Sequence, residues 1–317
     1  MNADMILILG VTGSGKGWVA FSLAKDLGAE IISVDSMKVY RRMDIGTAKP
    51  PKQARQQVRY HLIDIVEPSD SFSVRAFLDA ALDAIEQIKK RNKPVVAVGG
   101  TALYIKALLY GLFEGPGTDE QLRAELQARA QSEGLEQLHR RLAEIDPEAA
   151  CRIHRNDAKR IIRALEVYEL TGKPISSFQR QWSARQTSDE RGTTHYDWTI
   201  IGLRREKAEE SRRINARVKK MIAAGLVDEV KSLLAEERPL SPQARCAIGY
   251  AEIIDYLSGQ IGLEDAVELI KKNTRRLAKS QRTWFKTFRY VNWLDIAPDE
   301  PGEEIFQRAK RLITDRK

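Results

Sequence analysis

A glycine-rich loop stands between a strand pattern and a helix pattern at the start of the chain, and it constrains the fold more than any other feature. Met5–Leu9 is typical of a buried strand, and the apolar segment Trp18–Leu27 is typical of a helix. Loop glycines let backbone N–H groups converge on anionic oxygens, and Lys16 adds a positive charge. The pattern therefore predicts a P-loop that binds a di- or triphosphate, with a glycine-rich turn and a surface lysine as the alternative. The predicted phosphate-binding residues are Gly10, Val11, Thr12, Gly13, Ser14, Gly15, Lys16 and Gly17.

Two positions argue against a standard NTPase. The residue after the P-loop lysine usually carries a hydroxyl group that binds Mg²⁺, but this chain has Gly17 there. The strand pattern Val95–Val98 runs into Gly99-Gly100-Thr101 and lacks the acidic residue of a Walker B strand. We therefore expect a diphosphate to leave the substrate, rather than a γ-phosphate to be transferred.

Short apolar runs alternate with helical patterns along the chain. This alternation predicts an α/β fold in which a P-loop NTPase-like parallel sheet is flanked by helices. Ligands of such folds bind at the carboxyl ends of the strands, so the residues that follow each strand are candidates for the site. The predicted strands are Met5–Leu9, Glu30–Val34, Leu62–Val66, Pro94–Val98 and Trp198–Leu203.

The middle of the chain has a different pattern. Gly115-Pro116-Gly117 interrupts the preceding helix, Asp119 is a candidate helix cap, and no strand pattern follows before Trp198. We therefore predict a core domain of residues 1–115 and 196–317 with an inserted all-helical domain of residues 116–195. The predicted helices of the insertion are Glu120–Glu133, Leu135–Glu144, Pro147–Ile153 and Asp157–Thr171.

Positive charge is concentrated in three segments of this 317-residue chain, whose formal net charge is +8. They are Arg152–Arg163, Arg204–Lys220 and Lys271–Arg289, the last of which has no acidic residue. Such clusters favour a nucleic-acid partner, with basic helix faces in solvent as the alternative. No run approaches the roughly 18 apolar residues of a membrane span, and the cysteines and histidines lack metal-site spacing. We therefore expect a cytoplasmic protein.

Asp35 follows the second predicted strand, at the edge of the sheet where the P-loop also lies. A carboxylate at this edge is able to bind Mg²⁺ or to accept a proton. The alternative is a helix cap for the segment that follows. The pattern leaves both roles open.

A set of short sequence motifs follows in a fixed order along essentially the whole chain. The first motifs are the P-loop and Asp35–Tyr40, and the last is Thr274–Trp284. The motifs between them are Ile45–Pro50, His61–Asp64, Val98–Tyr104, Arg160–Val167, Thr171–Ser176, Gly225–Val230 and Ile248–Tyr250. Together these motifs resemble the bacterial tRNA dimethylallyltransferase family.

The resemblance implies that dimethylallyl diphosphate gives its dimethylallyl group to N6 of adenosine 37 in tRNAs reading codons that begin with U, with release of diphosphate. It implies Asp35 as the base, Thr101 as a contact to diphosphate and target base, and Lys16 and Arg217 as groups that stabilise the departing diphosphate. It also implies Mg²⁺ as a cofactor, with unidentified protein ligands, and a monomer. The residues implied in tRNA binding are Asp35, Ser36, Met37, Lys38, Thr101, Arg123, Lys159, Arg160, Ile161, Ile162 and Arg163.

The arginines of the predicted insertion suit RNA, because a guanidinium group pairs with phosphate through two hydrogen bonds and stacks on bases. For Arg160 and Arg163, an ion pair with Glu166 on the same predicted helix is the alternative. The resemblance favours the RNA contact.

Three residues depart from the family pattern: Gly17 stands in place of Thr or Ser, Lys38 in place of Gln, and Ser280 in place of Arg. Lys38 donates hydrogen bonds but cannot accept them, which puts base selection in question. A catalytically weakened paralogue is therefore one alternative, and an adenine-nucleotide isopentenyltransferase is another. The P-loop by itself also leaves a small-molecule kinase open, and the basic segments leave a non-catalytic RNA-binding module.

Overall fold

The computed structural model describes residues 5–112, 115–178 and 196–314 of the chain. These residues form two compact units. The first consists of the described residues within Met1–Leu109 and Tyr196–Lys317, and the second of those within Tyr110–His195. The second unit is thus an insertion in the sequence of the first.

A six-stranded parallel sheet forms the centre of the first unit. Its strands are β1 Met5–Gly10, β2 Glu30–Val34, β3 Tyr60–His61, β4 Val95–Gly99, β5 Trp198–Arg204 and β6 Asn292–Asp295. The strand order is β3-β2-β4-β1-β5-β6, so β1 lies between β4 and β5. Met5 of β1 is in register with Val95 on one side and Trp198 on the other. A parallel sheet with flanking helices confirms the predicted fold class.

Helices follow most of the strands, and the four helices α5 to α8 belong to the second unit. None of the described helices is both long enough and apolar enough to cross a membrane. The helices are α1 Lys16–Leu27, α2 Lys52–Gln57, α3 Val74–Lys90, α4 Ala102–Tyr110, α5 Glu120–Ser132, α6 Leu135–Ile145, α7 Pro147–Arg152, α8 Ala158–Thr171, α9 Lys207–Ala223, α10 Leu226–Leu234, α11 Pro242–Arg245, α12 Tyr250–Leu257, α13 Leu263–Phe285 and α14 Gly302–Thr314.

Two of the apolar cores formed by the described residues of the first unit bear on the site. One covers the sheet with α1 and α14, through residues such as Ile6, Leu23 and Phe306. The other gathers helices α9 to α13 around the fully buried Tyr250. Because strands buried on both faces read as continuous apolar runs, β1, β2, β4 and β5 were visible in the sequence. The second core matters for function, since α9 and α13 bring residues to the glycine-rich loop.

The predicted third strand, Leu62–Val66, was wrong in position, because the strand is Tyr60–His61. Leu62 and Asp64 have positive φ angles of 61° and 57°, which an extended strand cannot contain. Strand β6 was missed altogether. Only Leu294 among its four residues is buried, so the sequence has no apolar run there.

The second unit is helical throughout its named elements. The predicted bounds of α5 to α8 agree with the structure to within one residue. Asp119, Asp146 and Asp157 cap α5, α7 and α8, because each side chain accepts a hydrogen bond from a backbone N–H of the first turn. The core of this unit contains Leu126, Leu138, Leu142, Ile161 and Leu165.

Candidate active site

The glycine-rich loop turns tightly between β1 and α1. Gly13 and Gly15 have φ angles of 85° and 97°, a region that favours glycine because it has no Cβ. The N–H of Ser14 donates to the carbonyl of Val11 at 3.1 Å and closes the turn. Val11 and Ser14 are buried and the N–H of Ser14 closes the turn, so other residues of the loop are the ones exposed to an anion.

Two arginines from the C-terminal part of the chain bind carbonyl groups of this loop. Arg205, just after β5, donates from Nε to the carbonyl of Ser14 at 3.1 Å, and Arg213 of α9 donates from Nε to that of Gly13 at 2.8 Å. A trans peptide directs its C=O and N–H in opposite directions, so the N–H of Gly15 points away from Arg205. The two arginines therefore hold loop peptides in a fixed orientation, as an anion site requires. Sequence reasoning missed both, because 191 and 200 residues separate them from the loop.

Lys16 and Arg217 add positive charge beside the loop. Lys16 Nζ donates to the carbonyl of Val11 at 3.3 Å, and Arg217 Nη1 donates to Thr12 Oγ1 at 3.1 Å. Burial, together with repulsion from Lys38 and Arg217, lowers the pKa of Lys16 to about 7. Burial also lowers the pKa of Arg217. Both cations are poorly hydrated, so a bound anion would stabilise them.

Asp35 follows β2 and caps the turn after it. Its Oδ1 accepts hydrogen bonds from the backbone N–H groups of Met37 at 2.9 Å and Lys38 at 3.3 Å. The capping role that the sequence left open is therefore real. Within the described part of the chain, no hydrogen bond to Oδ2 is present. The carboxylate is thus oriented by its cap and keeps one oxygen for a ligand or a proton.

Thr101 connects the ends of β2 and β4. Its Oγ1 accepts a hydrogen bond from the N–H of Ser36 at 3.1 Å and donates to Ser36 Oγ at 3.4 Å. The two strand ends approach closely because β4 ends in Gly99, where a Cβ would lie only 1.9 Å from the carbonyl oxygen of Val34. This close approach places Thr101 beside the segment that begins with Asp35.

Gln281 of α13 links the glycine-rich loop to the end of β4. Its Oε1 accepts a hydrogen bond from the N–H of Thr12 at 2.9 Å, and its Nε2 donates to the carbonyl of Gly100 at 2.8 Å. The side chain is buried. Sequence reasoning assigned Gln281 no role, since a pattern along one helix does not show which loops the helix contacts. A buried polar residue within a helix is the signal that could have found it.

Two cavities, of about 460 and 730 Å³, meet at Asp35. They share four lining residues, namely Lys16, Asp35, Lys38 and Arg217. Among the described residues, Asp35 is the only carboxylate that lines either cavity. Thr101 lines the smaller one, so the structure brings the four predicted catalytic residues into one cleft. The smaller cavity also has an apolar wall formed by Ile214, Val218, Ile270, Leu277 and Trp284, and the larger one is lined by Gly13, Gly15 and Gly17.

Comparisons with known proteins decide the family. The family model described as IPP transferase matches residues 38–288. The chain belongs to the IPP transferase family. One relative of the chain, a tRNA dimethylallyltransferase from Geobacter metallireducens, is 46% identical to it over 291 residues, which are 92% of each chain. A protein of the same name from Pelotomaculum thermopropionicum is 44% identical over 310 residues, 97% of this chain and 95% of that one.

Solved structures of IPP transferase relatives agree with this assignment. The full-length tRNA isopentenylpyrophosphate transferase from Bacillus halodurans is 39% identical, with a TM-score of 0.69 over 99% of this chain and 98% of that one. A eukaryotic dimethylallyltransferase acting on tRNA is 26% identical, with a TM-score of 0.78 over 100% of this chain and 81% of that one. The resemblance found in the sequence is confirmed.

Few side-chain oxygens of this IPP transferase are free in the cleft to bind Mg²⁺. Gly17 offers no side chain, Ser14 Oγ is buried with no hydrogen-bond partner among the described residues, and Thr12 Oγ1 already accepts a hydrogen bond from Arg217. Within the described ranges, no group of three or more His, Cys, Asp or Glu residues could hold a metal ion. Mg²⁺ remains a prediction from the resemblance, with Asp35 as the one carboxylate in the cleft to bind it.

The residues implied in tRNA binding lie in both units. In the first unit, Asp35, Ser36, Met37, Lys38 and Thr101 line the smaller cavity. In the second unit, Lys159 and Arg160 are exposed at the start of α8. Arg160 Nη1 lies 3.2 Å from the carboxylate of Asp157, an exposed pair that an RNA phosphate could displace.

Arg123 and Arg163 of the second unit bind a buried carboxylate. Arg123 Nε lies 3.0 Å from Glu166 Oε1, and Arg163 Nη1 lies 2.7 Å from Glu166 Oε2. The ion pair that the sequence offered as an alternative is therefore present for Arg163 but not for Arg160. Ile161 and Ile162 have their side chains in the core of this unit. An RNA contact by these two residues would have to use their backbone, and all four roles in RNA binding stay predictions.

Proposed function

We propose that the protein transfers the dimethylallyl group of dimethylallyl diphosphate to N6 of adenosine 37 in tRNAs reading codons that begin with U, and that it releases diphosphate. The proposal rests on one observation: Asp35, Lys16 and Arg217 line both of the cavities that meet in the cleft. This arrangement supports a base beside groups that would bind a departing anion. The names of the relatives at 44–46% identity supply the tRNA substrate and the transferred group.

The positive side of the cleft would bind the diphosphate. Loop N–H groups, the N-terminus of α1, Lys16 and Arg217 offer fixed donors and charge. As the bond between the allylic carbon and the diphosphate oxygen breaks, negative charge builds on the leaving group, and these groups stabilise it without rearrangement. The apolar wall of the smaller cavity suits the hydrocarbon chain.

Asp35 would take the proton from the attacking amine. The N6 amine of adenine is a weak nucleophile, because its lone pair is delocalised into the ring. A base within hydrogen-bond distance of its proton makes the attack easier. The N–H groups of Met37 and Lys38 hold the Asp35 carboxylate through Oδ1, so Oδ2 is oriented for that task. A stacked base cannot enter such a cavity, so the target adenosine must first flip out of the stack.

Two further predictions accompany this function. Mg²⁺ remains a prediction from the resemblance, and Asp35 is the carboxylate that lines the cleft and would hold it. The cytoplasm remains the predicted location, because the proposed substrate is tRNA.

Radiolabelled dimethylallyl diphosphate tests the proposal when it is incubated with the protein and either unmodified tRNA or free adenine nucleotides. Label in tRNA at adenosine 37 is the expected result. Label in AMP, ADP or ATP would instead support an adenine-nucleotide isopentenyltransferase. Label in neither, from folded protein, would contradict the proposal and favour a weakened paralogue, a kinase or an RNA-binding module.

A further inference from the structure

An excess of positive charge marks the place where the two cavities meet. The four residues common to both cavities are three cations, Lys16, Lys38 and Arg217, and one carboxylate, Asp35. When all four are ionised, the group has a net positive charge. Poorly hydrated charges of one sign that lie close together lower the stability of the folded protein unless a counter-ion is bound.

Lys38 is the member of this group whose amino group makes no hydrogen bond or close ion pair with the described residues. Asp35 is the carboxylate that acts on it, through its charge. By contrast, the amino group of Lys49 contacts the carboxylates of Asp44 and Asp64 and the carbonyl oxygen of Tyr40. Burial lowers the pKa of Lys38, although the nearby Asp35 opposes this effect. The amino group of Lys38 is therefore available to an anion in the cleft.

The backbone of Lys38 is held in place independently of its side chain. Its N–H donates to Asp35 Oδ1 at 3.3 Å. The residue thus enters the cleft on a capped turn, whereas the diphosphate-binding loop lies on another element. Lys38 and Lys16 consequently line the cleft from two separate segments.

A divalent cation has little to bind here besides its substrate. Gly17 has no hydroxyl group, and a Cβ added there would meet no atom of the described residues within 4 Å. Mg²⁺ demands a nearly octahedral set of oxygen ligands and gives up its water reluctantly. A fully ionised diphosphate monoester has about three negative charges, and the four shared residues, when all are ionised, offset about two of them without a metal ion.

We propose that the ammonium group of Lys38 supplies to the bound diphosphate the positive charge that a divalent cation would otherwise supply, so that this protein binds diphosphate without Mg²⁺. Because dimethylallyl diphosphate is the proposed substrate, this role deepens the proposed function and rests on it. The ammonium group donates hydrogen bonds to the phosphate oxygens as a compact point charge.

Titration calorimetry with inorganic pyrophosphate, in EDTA and in excess Mg²⁺, tests this role on the full chain. For the unchanged protein, we expect dissociation constants in the two buffers to agree within about threefold. In EDTA, Lys38→Gln should bind pyrophosphate at least about tenfold more weakly than the unchanged protein, and in Mg²⁺ it should regain part of that affinity. Lys38→Arg keeps the charge and should stay close to the unchanged protein in EDTA.

Lys219→Gln is the charge-matched control, because Lys219 is exposed on α9 and lines neither cavity. It should leave both dissociation constants unchanged, and melting temperatures should show that every variant is folded. The role of Lys38 would be overturned if the unchanged protein bound pyrophosphate more than about tenfold more weakly in EDTA than in Mg²⁺. It would also be overturned if Lys38→Gln bound pyrophosphate in EDTA as tightly as the unchanged protein. Neither titration contains tRNA or a prenyl group. Failure of transfer to tRNA would therefore overturn the proposed function separately.

Discussion

At the scale of single residues, the protonation of Lys16 should control anion binding. Burial and repulsion from Lys38 and Arg217 lower its pKa to about 7, so in the free protein the amino group loses its proton as the pH rises through that value. A bound diphosphate favours the ammonium form. We therefore expect pyrophosphate affinity to fall between about pH 7 and pH 9, with proton uptake on binding near pH 8.

Calorimetry in buffers of different ionisation enthalpy measures this proton uptake. Lys16→Arg is the control, because a guanidinium group stays charged over this range and should reduce the uptake. Binding near pH 8 without proton uptake would contradict the lowered pKa of Lys16.

Asp35 permits a second prediction about a single residue. In Asp35→Asn, the amide oxygen can still accept the hydrogen bonds of Met37 and Lys38, but the side chain no longer accepts a proton. We expect prenyl transfer to tRNA to slow by about 10²- to 10⁴-fold. Pyrophosphate binding should be as tight as before or tighter, since a negative charge has been removed from the cleft.

Single-turnover transfer assays and calorimetry separate the two effects of this substitution. Asp35→Ala, which also removes the cap, serves as the comparison for structural damage. A loss of less than about tenfold in Asp35→Asn would show that another group accepts the proton.

At the scale of elements, Gln281 holds three segments together: α13, the glycine-rich loop and the end of β4. Gln281→Met keeps the volume but leaves the N–H of Thr12 and the carbonyl of Gly100 without their partner. We expect the free energy of unfolding to fall by about 1–3 kcal/mol. The KM for dimethylallyl diphosphate should rise, because the loop is no longer held, while the KM for tRNA stays unchanged.

Denaturant unfolding and steady-state kinetics test this expectation. Lys279→Ala, exposed two residues away on the same helix, is the matched control. Equal effects of Gln281→Met on both KM values would mean that the side chain serves the whole fold instead of the diphosphate loop.

Glu166 connects α5 and α8 of the second unit. Burial alone would raise its pKa, but hydrogen bonds from Arg163, the N–H of Asp119 and Arg123 lower it below the usual value. The stabilisation is therefore complete above about pH 4.5 and is lost as the pH falls through the lowered pKa. Glu166→Ala should cost about 3 kcal/mol at neutral pH, because two cations lose a buried partner.

Hydrogen exchange at the backbone amides of α5 and α8 measures this loss of stability in the second unit itself. The difference in amide exchange rates between Glu166→Ala and the unchanged protein should become smaller toward low pH. If it stays constant down to about pH 3, the ionised carboxylate is not the source of the stability.

At the scale of the whole molecule, the net charge of +8 predicts tRNA binding that weakens with salt. Lys159 and Arg160 are exposed and are the best-placed members of the predicted RNA contacts on α8. Replacing both by alanine should weaken binding and reduce the slope of log affinity against log salt by about 1–2.

Binding of unmodified tRNA over a series of salt concentrations measures that slope. Arg140→Ala removes an equally exposed charge from α6 of the same unit and is the control. An unchanged slope in the Lys159 and Arg160 variant would exclude direct phosphate contacts by these residues.

Much of the fold and part of the site could be predicted from local patterns. Strands buried on both faces and capped helices have signals within a few residues, which is why β1 and α5 were predicted closely. In a parallel sheet the strand ends meet at one edge, so Asp35 and Thr101 were expected together with the P-loop. The short edge strand β6 has no such signal, and positive φ angles interrupt the predicted strand at 62–66.

The amino-acid sequence by itself determined the glycine-rich loop, the alternation of strands and helices, and the helical insertion, because each depends on side-chain periodicity or turn residues close along the chain. Only the tertiary structure decided that Arg205, Arg213 and Gln281 hold the loop. It also decided that Lys38 shares both cavities with Lys16, Asp35 and Arg217. Such contacts join residues far apart in sequence, and they form only when the packing of the two cores brings distant helices and strand ends to the same place.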